Sequence, residues 1–147
     1  MTCNPHLTVA AIIEEQDRYL MVEEISNGIR VLNQPAGHWE ASETGPKAII
    51  RETLEETGYD FTPTEIVGIY SWTHPETNDT YVRVTYTGQV GEPDPNAELD
   101  AEIIQTKWMS YEQIQAAQNA LRSPLVLQCL DDYRRGQRYD LSLIYAL

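Results

Sequence analysis

Short runs of apolar and β-branched residues, separated by turn signals, predict a chain rich in β-strands. The run at 81–87 alternates between two sets of side chains, as a strand with two different faces does. Asn27-Gly28 is a strong turn signal between two of the runs. The predicted strands are 7–13, 19–23, 29–32, 65–72, 81–87 and 102–108, and the predicted loops are 33–37, 73–80 and 91–96.

Three helices are predicted from their end signals. Gly45-Pro46 opens a helix that continues over 47–57 and is capped by Gly58, because proline suits a first turn and glycine suits a C-terminal cap. A capping box at Ser110 opens a second helix, and Ser123-Pro124 opens a third that ends near Gly136. Helices interleave with strands without strict βαβ alternation, so we expect an α/β or α+β fold with a mixed sheet flanked by helices.

The helix over 47–57 carries an unusual concentration of glutamates. At about 100° per residue, Glu52, Glu55 and Glu56 share one stripe, while Ile50 and Leu54 lie on the opposite side and are expected to face the core. Like charges four residues apart repel and destabilise a helix. Mg²⁺ prefers oxygen ligands, so a bound Mg²⁺ would make the same arrangement favourable. A solvated acidic face is the alternative.

Composition narrows the class of protein. The 147 residues are 41% hydrophobic and 22% charged, which suits one globular domain over 1–147. No apolar run approaches the roughly 20 residues of a membrane span, and the N-terminal stretch is expected to be a strand and not a secretion signal. A net charge of −13 argues against binding duplex nucleic acid through its phosphates. Cys3 and Cys129 are expected to be reduced thiols, and the compartment cytoplasmic.

The segment from residue 37 to 59 resembles the Nudix box of the Nudix hydrolase superfamily. Thr53 stands where an aliphatic residue is usual and Tyr59 holds the final apolar position, and both departures concern packing. The stretches NPHLTVAAII, LMVEEISNG, LNQPAGHWE, LRSPLV and GQRY are further similar to the NudJ-type phosphatase subgroup. The matching charged and glycine positions of the box are Gly37, Glu43, Arg51, Glu52, Glu55, Glu56 and Gly58.

This resemblance implies an α/β/α sandwich with a mixed sheet and a magnesium site, at which Mn²⁺ can substitute. It implies Glu52 and Glu56 as principal ligands, Glu55 as a ligand directly or through water, and the Gly37 carbonyl as a further ligand. Arg51, paired with Glu43, is expected to orient the loop and the helix for catalysis. A plain surface ion pair is the alternative for those two side chains.

The resemblance further implies that a water molecule attacks phosphorus after a carboxylate takes its proton. Glu55, Glu56 and Glu102 are candidates for this base, with Glu98 and Asp100 as nearby rivals. The alternative for Glu102 is a solvated loop residue.

Three further side chains are candidates for contact with the substrate. Trp72 and Trp39 offer rings that can stack on a base, although aromatic residues in strands more often belong to the core. His38 lies inside the box, beside the expected phosphate position. Lys47 and Arg83 are candidates for contact with a phosphate, although a surface charge is the favoured interpretation for both.

The implied activity is release of inorganic phosphate from nucleoside tri- and diphosphates and from the thiamine-precursor pyrimidine pyrophosphate. The alternative substrate is ADP-ribose or another dinucleotide, because Pro75 lies sixteen residues past Tyr59, where ADP-ribose-hydrolysing members often carry a proline. A non-enzymatic nucleotide-binding module is the third hypothesis. A monomer is expected from the subgroup resemblance.

Overall fold

In the computed structural model, which describes residues 2–147, the chain forms two small sheets and three α-helices. The strands are β1 (His6–Ile12), β2 (Glu14–Glu15), β3 (Arg18–Ser26), β4 (Ile29–Asn33), β5 (Ala36–His38), β6 (Phe61–Thr73), β7 (Thr80–Val90) and β8 (Ile103–Ser110). The helices are α1 (Gly45–Thr57), α2 (Tyr111–Ala116) and α3 (Pro124–Arg134), with short 3-10 turns at Gln118–Ala120 and Leu141–Leu143.

The first sheet has the strand order β5-β1-β7-β6, in which β1 and β7 are parallel and the other pairs are antiparallel. In the second sheet, β3 pairs with β2, β4 and β8, all antiparallel. The expected mixed sheet flanked by helices is therefore confirmed.

Helices α1 and α3 cover opposite faces of the first sheet. Successive side chains of a strand point to opposite faces, and β1 follows this rule: Val9 packs with Ile49 of α1, whereas Ile12 packs with Val126 of α3. Burial of these apolar side chains holds both helices on the sheet. The glutamates of α1 are thereby placed at a fixed position over one sheet face.

Most of the predicted end signals are confirmed. Gly58 adopts a left-handed conformation with φ 75°, and its N–H donates to the Leu54 carbonyl. The capping box at Ser110 is present, with reciprocal bonds to Gln113. The prediction of a loop over 33–37 was wrong in part, because Ala36–His38 pairs with β1 as an edge strand. A three-residue strand is too short to show periodicity in the sequence.

The predicted orientation of α1 was wrong. Leu54 is 44% exposed and Ile50 is only partly buried, whereas Ala48 and Ile49 are fully buried. The glutamate stripe instead faces the inside of the protein, next to the helix face on which Ala48 and Ile49 pack. Placing Ile50 and Leu54 against the core, opposite the glutamates, gave the wrong face.

Thr53 lies on this inward face with 0% exposure, and its hydroxyl has no hydrogen-bond partner among the described residues. Thr57, one turn later, is also buried, but its hydroxyl donates to the Thr53 carbonyl at 2.6 Å and accepts from the Tyr59 N–H at 3.1 Å. The two buried threonines therefore differ in one respect: the hydroxyl of Thr57 is hydrogen-bonded and the hydroxyl of Thr53 is not.

Thr53→Val should raise the free energy of unfolding by roughly 1 kcal/mol, because it replaces an unpaired buried hydroxyl with a methyl group of similar size. Thr57→Val is the matched control, and it should lower that free energy by about 1–3 kcal/mol because it leaves a buried carbonyl and an N–H without their partner. Urea unfolding followed by circular dichroism measures both. A Thr53→Val protein as destabilised as Thr57→Val would contradict this account of the site.

Candidate active site

Arg51 connects the helix to the loop that precedes it. Its Nε and Nη2 donate to the two carboxylate oxygens of Glu43 at 3.1 and 2.7 Å, and Nη2 also donates to the His38 carbonyl at 3.0 Å. Its Nη1 donates to Glu52 at 2.8 Å and to Glu55 at 3.3 Å. The pKa of Glu43 is lowered, chiefly by the hydrogen bond from Arg51. This forked pairing fixes the geometry more firmly than a single exposed ion pair does.

Strand β5 lies directly against the carboxylates of α1. A Cβ atom built on Gly37 would lie 2.1 Å from Cδ of Glu52, so only glycine leaves room for that carboxylate in this position. One residue earlier, the Ala36 N–H donates to Oε1 of Glu56 at 2.8 Å. The box residues that are distant in sequence are therefore brought together by the pairing of β5 with β1.

Two of these carboxylates are buried. Glu52 is 9% exposed and Glu56 is 7% exposed. Burial raises the pKa of Glu52, although Arg51 opposes the shift. Burial raises the pKa of Glu56 to about 9, with the charges of Glu24, Glu52 and Asp100 acting in the same direction. The carboxyl groups of Glu43, Glu52, Glu55 and Asp100 outnumber the one guanidinium of Arg51, and a divalent cation both balances such an excess and favours the ionised form of a buried carboxyl group.

One group of carboxylates has the spacing that suits a cation. Oxygens of Glu52, Glu55 and Asp100 all lie within 4.8 Å of one another. The Asp100 N–H donates to the Glu55 carbonyl at 2.9 Å, which holds this loop on the helix. Carboxylate oxygens are the donors that Mg²⁺ and Mn²⁺ accept. The residues present therefore fit a divalent cation, and Glu56 adjoins the group through its buried side chain.

Glu102 is not part of this group. Its side chain is exposed, and the contact that places it is between its backbone carbonyl and the Ile25 N–H at 3.0 Å. Of the acidic residues considered in this loop, the structure brings Asp100 to the helix, whereas Glu98 is also exposed. A role for Glu102 as a base stays a prediction. The spacing of six residues between Glu102 and Trp108 did not indicate which carboxylate of the loop lies against the helix.

A cavity of about 370 Å³ is lined at one end by Ala36 and Gly37, which contact Glu56 and Glu52, and it extends across the sheet to Arg83. His38 and Trp72 both line it, and Trp72 stacks on Tyr81 with a centroid distance of 6.1 Å. Burial, and then the neighbouring His6, lower the pKa of His38. His38 and Trp72 therefore line one cavity, and their contact with a substrate stays a prediction.

Trp39 is placed differently. Its indole N–H donates to the Glu43 carbonyl at 2.8 Å, and its ring packs against the core cluster that includes Tyr86. It does not line the cavity, so in this structure it supports the loop of Glu43. Pro75 lines a second groove of about 560 Å³, which also reaches Trp72.

A model of the NUDIX domain matches residues 4–129 of the chain. The chain belongs to the Nudix family. Phosphatase NudJ of Escherichia coli K12 is 39% identical over 140 residues, which cover 95% of this chain and 90% of that protein. Together these matches show that the chain is a Nudix hydrolase, a phosphohydrolase similar to NudJ.

Solved structures of Nudix proteins have the same fold. A NUDIX hydrolase from Nitrosomonas europaea is 47% identical, with a TM-score of 0.96 and 98% of each chain covered. The bifunctional NMN adenylyltransferase/ADP-ribose pyrophosphatase of Francisella tularensis, solved with AMP and a manganese ion, has a TM-score of 0.72 at 21% identity, covering 92% of this chain and 42% of that one. At that identity the likeness concerns the fold alone.

Among the described residues, no helix of this Nudix hydrolase has both the length and the apolar character to cross a membrane.

Gly37→Ala should weaken the affinity for Mn²⁺ by roughly 10- to 100-fold, the usual effect of disturbing the support of a metal ligand. The three atoms nearest to the added methyl group all belong to the Glu52 carboxylate, so we expect that carboxylate to move while the fold remains. Isothermal titration with MnCl₂ measures the affinity. Gly91→Ala, which meets nothing within 4 Å, is the control. Equal affinities in the two variants would show that the approach of β5 does not shape the site.

Proposed function

We propose that this Nudix hydrolase is a divalent-cation-dependent phosphatase that releases inorganic phosphate from nucleoside tri- and diphosphates, and that it also acts on the thiamine-precursor pyrimidine pyrophosphate. The observation that carries the proposal is the set of carboxylate oxygens on Glu52, Glu55 and Asp100, next to Gly37, which also lines a cavity of about 370 Å³. The 39% identity to a phosphatase over most of both chains supports the substrate class. Mg²⁺ is the proposed cation, and Mn²⁺ a substitute.

Glu52, Glu55, Glu56 and Asp100 are the side chains that would hold the cation, with the Gly37 carbonyl beside them. A bound cation would supply positive charge against the phosphates of the substrate and Lewis acidity at the reacting phosphorus. Arg51 is proposed to position the site. It donates to Glu43 and to the His38 carbonyl, and these bonds keep the helix and the loop at a fixed distance during the reaction.

In the proposed reaction, a water oxygen forms a bond to the terminal phosphorus, and the phosphoanhydride bond on its other side breaks. The water proton passes to a carboxylate, and the shortened nucleotide leaves with the bridging oxygen. Glu55 is the favoured base because its side chain is partly exposed and belongs to the carboxylate group, whereas Glu56 accepts a bond from the Ala36 N–H. Glu102 stays an alternative base.

The proposal treats residues 1–147 as one catalytic domain that works as a monomer. The cytoplasm is the proposed compartment because Cys3 and Cys129 are both free thiols. ADP-ribose is the second candidate substrate, and the position of Pro75 at the groove beside Trp72 is the observation that favours it.

Glu56→Gln should lower the rate of phosphate release by about 100-fold or more, because an amide cannot lose a proton to become the negatively charged oxygen ligand that the proposed cation would need. Phosphate release is measured with ATP, ADP and the pyrimidine pyrophosphate in the presence of MgCl₂. Glu92→Gln, an exposed loop substitution, is the matched control and should keep the full rate. Equal rates in the two variants would remove Glu56 from the site.

Product analysis in the same assay separates the two substrate classes. Stepwise appearance of inorganic phosphate from ATP and ADP supports the phosphatase. Formation of AMP and ribose phosphate from ADP-ribose, without phosphate release from ATP, would overturn it in favour of the dinucleotide substrate. Nucleotide binding without turnover of any compound would overturn both.

A further inference from the structure

Arg83 of β7 is a buried cation without a carboxylate partner. It is 5% exposed, although its sequence position suggested a surface charge. Its Nη1 donates to the Gln34 side-chain oxygen at 2.9 Å and its Nη2 to the Asn33 side-chain oxygen at 3.1 Å. Its Nε is buried and has no hydrogen-bond partner among the described residues. No described carboxylate lies within 4.0 Å of the guanidinium.

This arrangement leaves a full positive charge inside the protein. Arginine does not lose its proton in proteins, so burial cannot neutralise it as burial neutralises a carboxyl group. Two neutral amide oxygens satisfy part of its five-donor fork, and the buried Nε–H is left without a partner among the described residues. An uncompensated buried charge is costly, and an anion relieves that cost.

The neighbouring amides are themselves held in place. The Gln34 side-chain nitrogen donates to the Val126 carbonyl of α3 at 2.8 Å, which directs its oxygen toward Arg83. Both Asn33 and Gln34 are buried. The guanidinium is therefore oriented by fixed neighbours and is not a mobile surface side chain.

Arg83 lines the same cavity as Gly37 and His38. His38 and Arg83 are both in register with Thr8, on the two strands that flank β1, so their backbones are about 10 Å apart across two strand spacings. The other arginine of this cavity, Arg122, is already paired with Glu24 at 2.6 Å. Among the described residues that line the cavity, Arg83 is thus the arginine with no carboxylate partner.

We propose that Arg83 is a specificity-determining residue that binds a phosphate group of the substrate other than the one attacked, at the part of the cavity away from the carboxylate group. This inference rests on the proposed function for the identity of the anion. A substrate lying over the short edge strand β5 would meet the cation group at one end and Arg83 at the other. A guanidinium and a phosphate have opposite charges, and the N–H groups of the guanidinium can donate in pairs to two phosphate oxygens.

The test separates this subsite from catalysis by omitting the metal. Binding of inorganic pyrophosphate is measured by isothermal titration in EDTA, with wild type, Arg83→Met and Arg30→Met. Arg30 is exposed and lies outside the cavity, so its substitution removes the same charge elsewhere. We expect Arg83→Met to weaken pyrophosphate binding by about tenfold or more, and Arg30→Met to leave it within about twofold of wild type.

Equal binding by wild type and Arg83→Met, or absence of binding by wild type, would overturn the proposal. If Arg83→Met does not fold, Arg83→Lys keeps the charge and removes the fork, and it should still bind pyrophosphate more weakly than wild type; equal binding by Arg83→Lys would also overturn the proposal.

With MgCl₂ and ADP, the folded variant should show a raised KM and a smaller change in kcat. Pyrophosphate binding that depends on Arg83, in a protein that hydrolyses none of the nucleotides, would support the subsite and overturn the phosphatase assignment alone.

Discussion

The close approach of strand β5 to helix α1 is the constraint on which the rest of the site depends. Gly37 leaves space for the Glu52 carboxylate, and the Ala36 N–H binds Glu56, so two buried acids lie under an edge strand of three residues. Arg51 ties the same strand and the loop of Glu43 to the helix. Hydrogen bonds and one guanidinium hold the geometry, but they leave an excess of negative charge that a cation can share with phosphate oxygens.

The carboxylate group of α1 and the part of the cavity around Arg83 have opposite electrostatic character. Near α1, carboxylates outnumber Arg51, whereas across β1 a buried guanidinium has only amide partners. A substrate with several phosphates suits both ends when a cation bridges it to the acidic end. The acidic balance of the whole chain therefore does not conflict with a phosphate substrate, because the positive charge is local and partly supplied by an ion.

Signals that act over a few residues were predictable from the sequence. The cap at Gly58, the capping box at Ser110 and the spacing of the Nudix box all depend on neighbours along the chain, and the structure has the two caps as predicted. The direction of α1 was not predictable from its apolar residues Ile50 and Leu54, because Glu52 and Glu56 are buried against a strand that precedes the helix by several residues of loop. Asp100 and Arg83 show the same limit: each is placed by tertiary contacts that no local pattern encodes.

The central claim is that these carboxylates hold a divalent cation. Its most direct test is the anomalous difference density of crystals grown with MnCl₂ and a non-hydrolysable nucleotide. The account predicts one or more manganese peaks in contact with carboxylate oxygens of Glu52 and of Glu55 or Glu56, beside Gly37 and in contact with a phosphate of the nucleotide. A nucleotide bound in the cavity with no manganese peak at those carboxylates would contradict it.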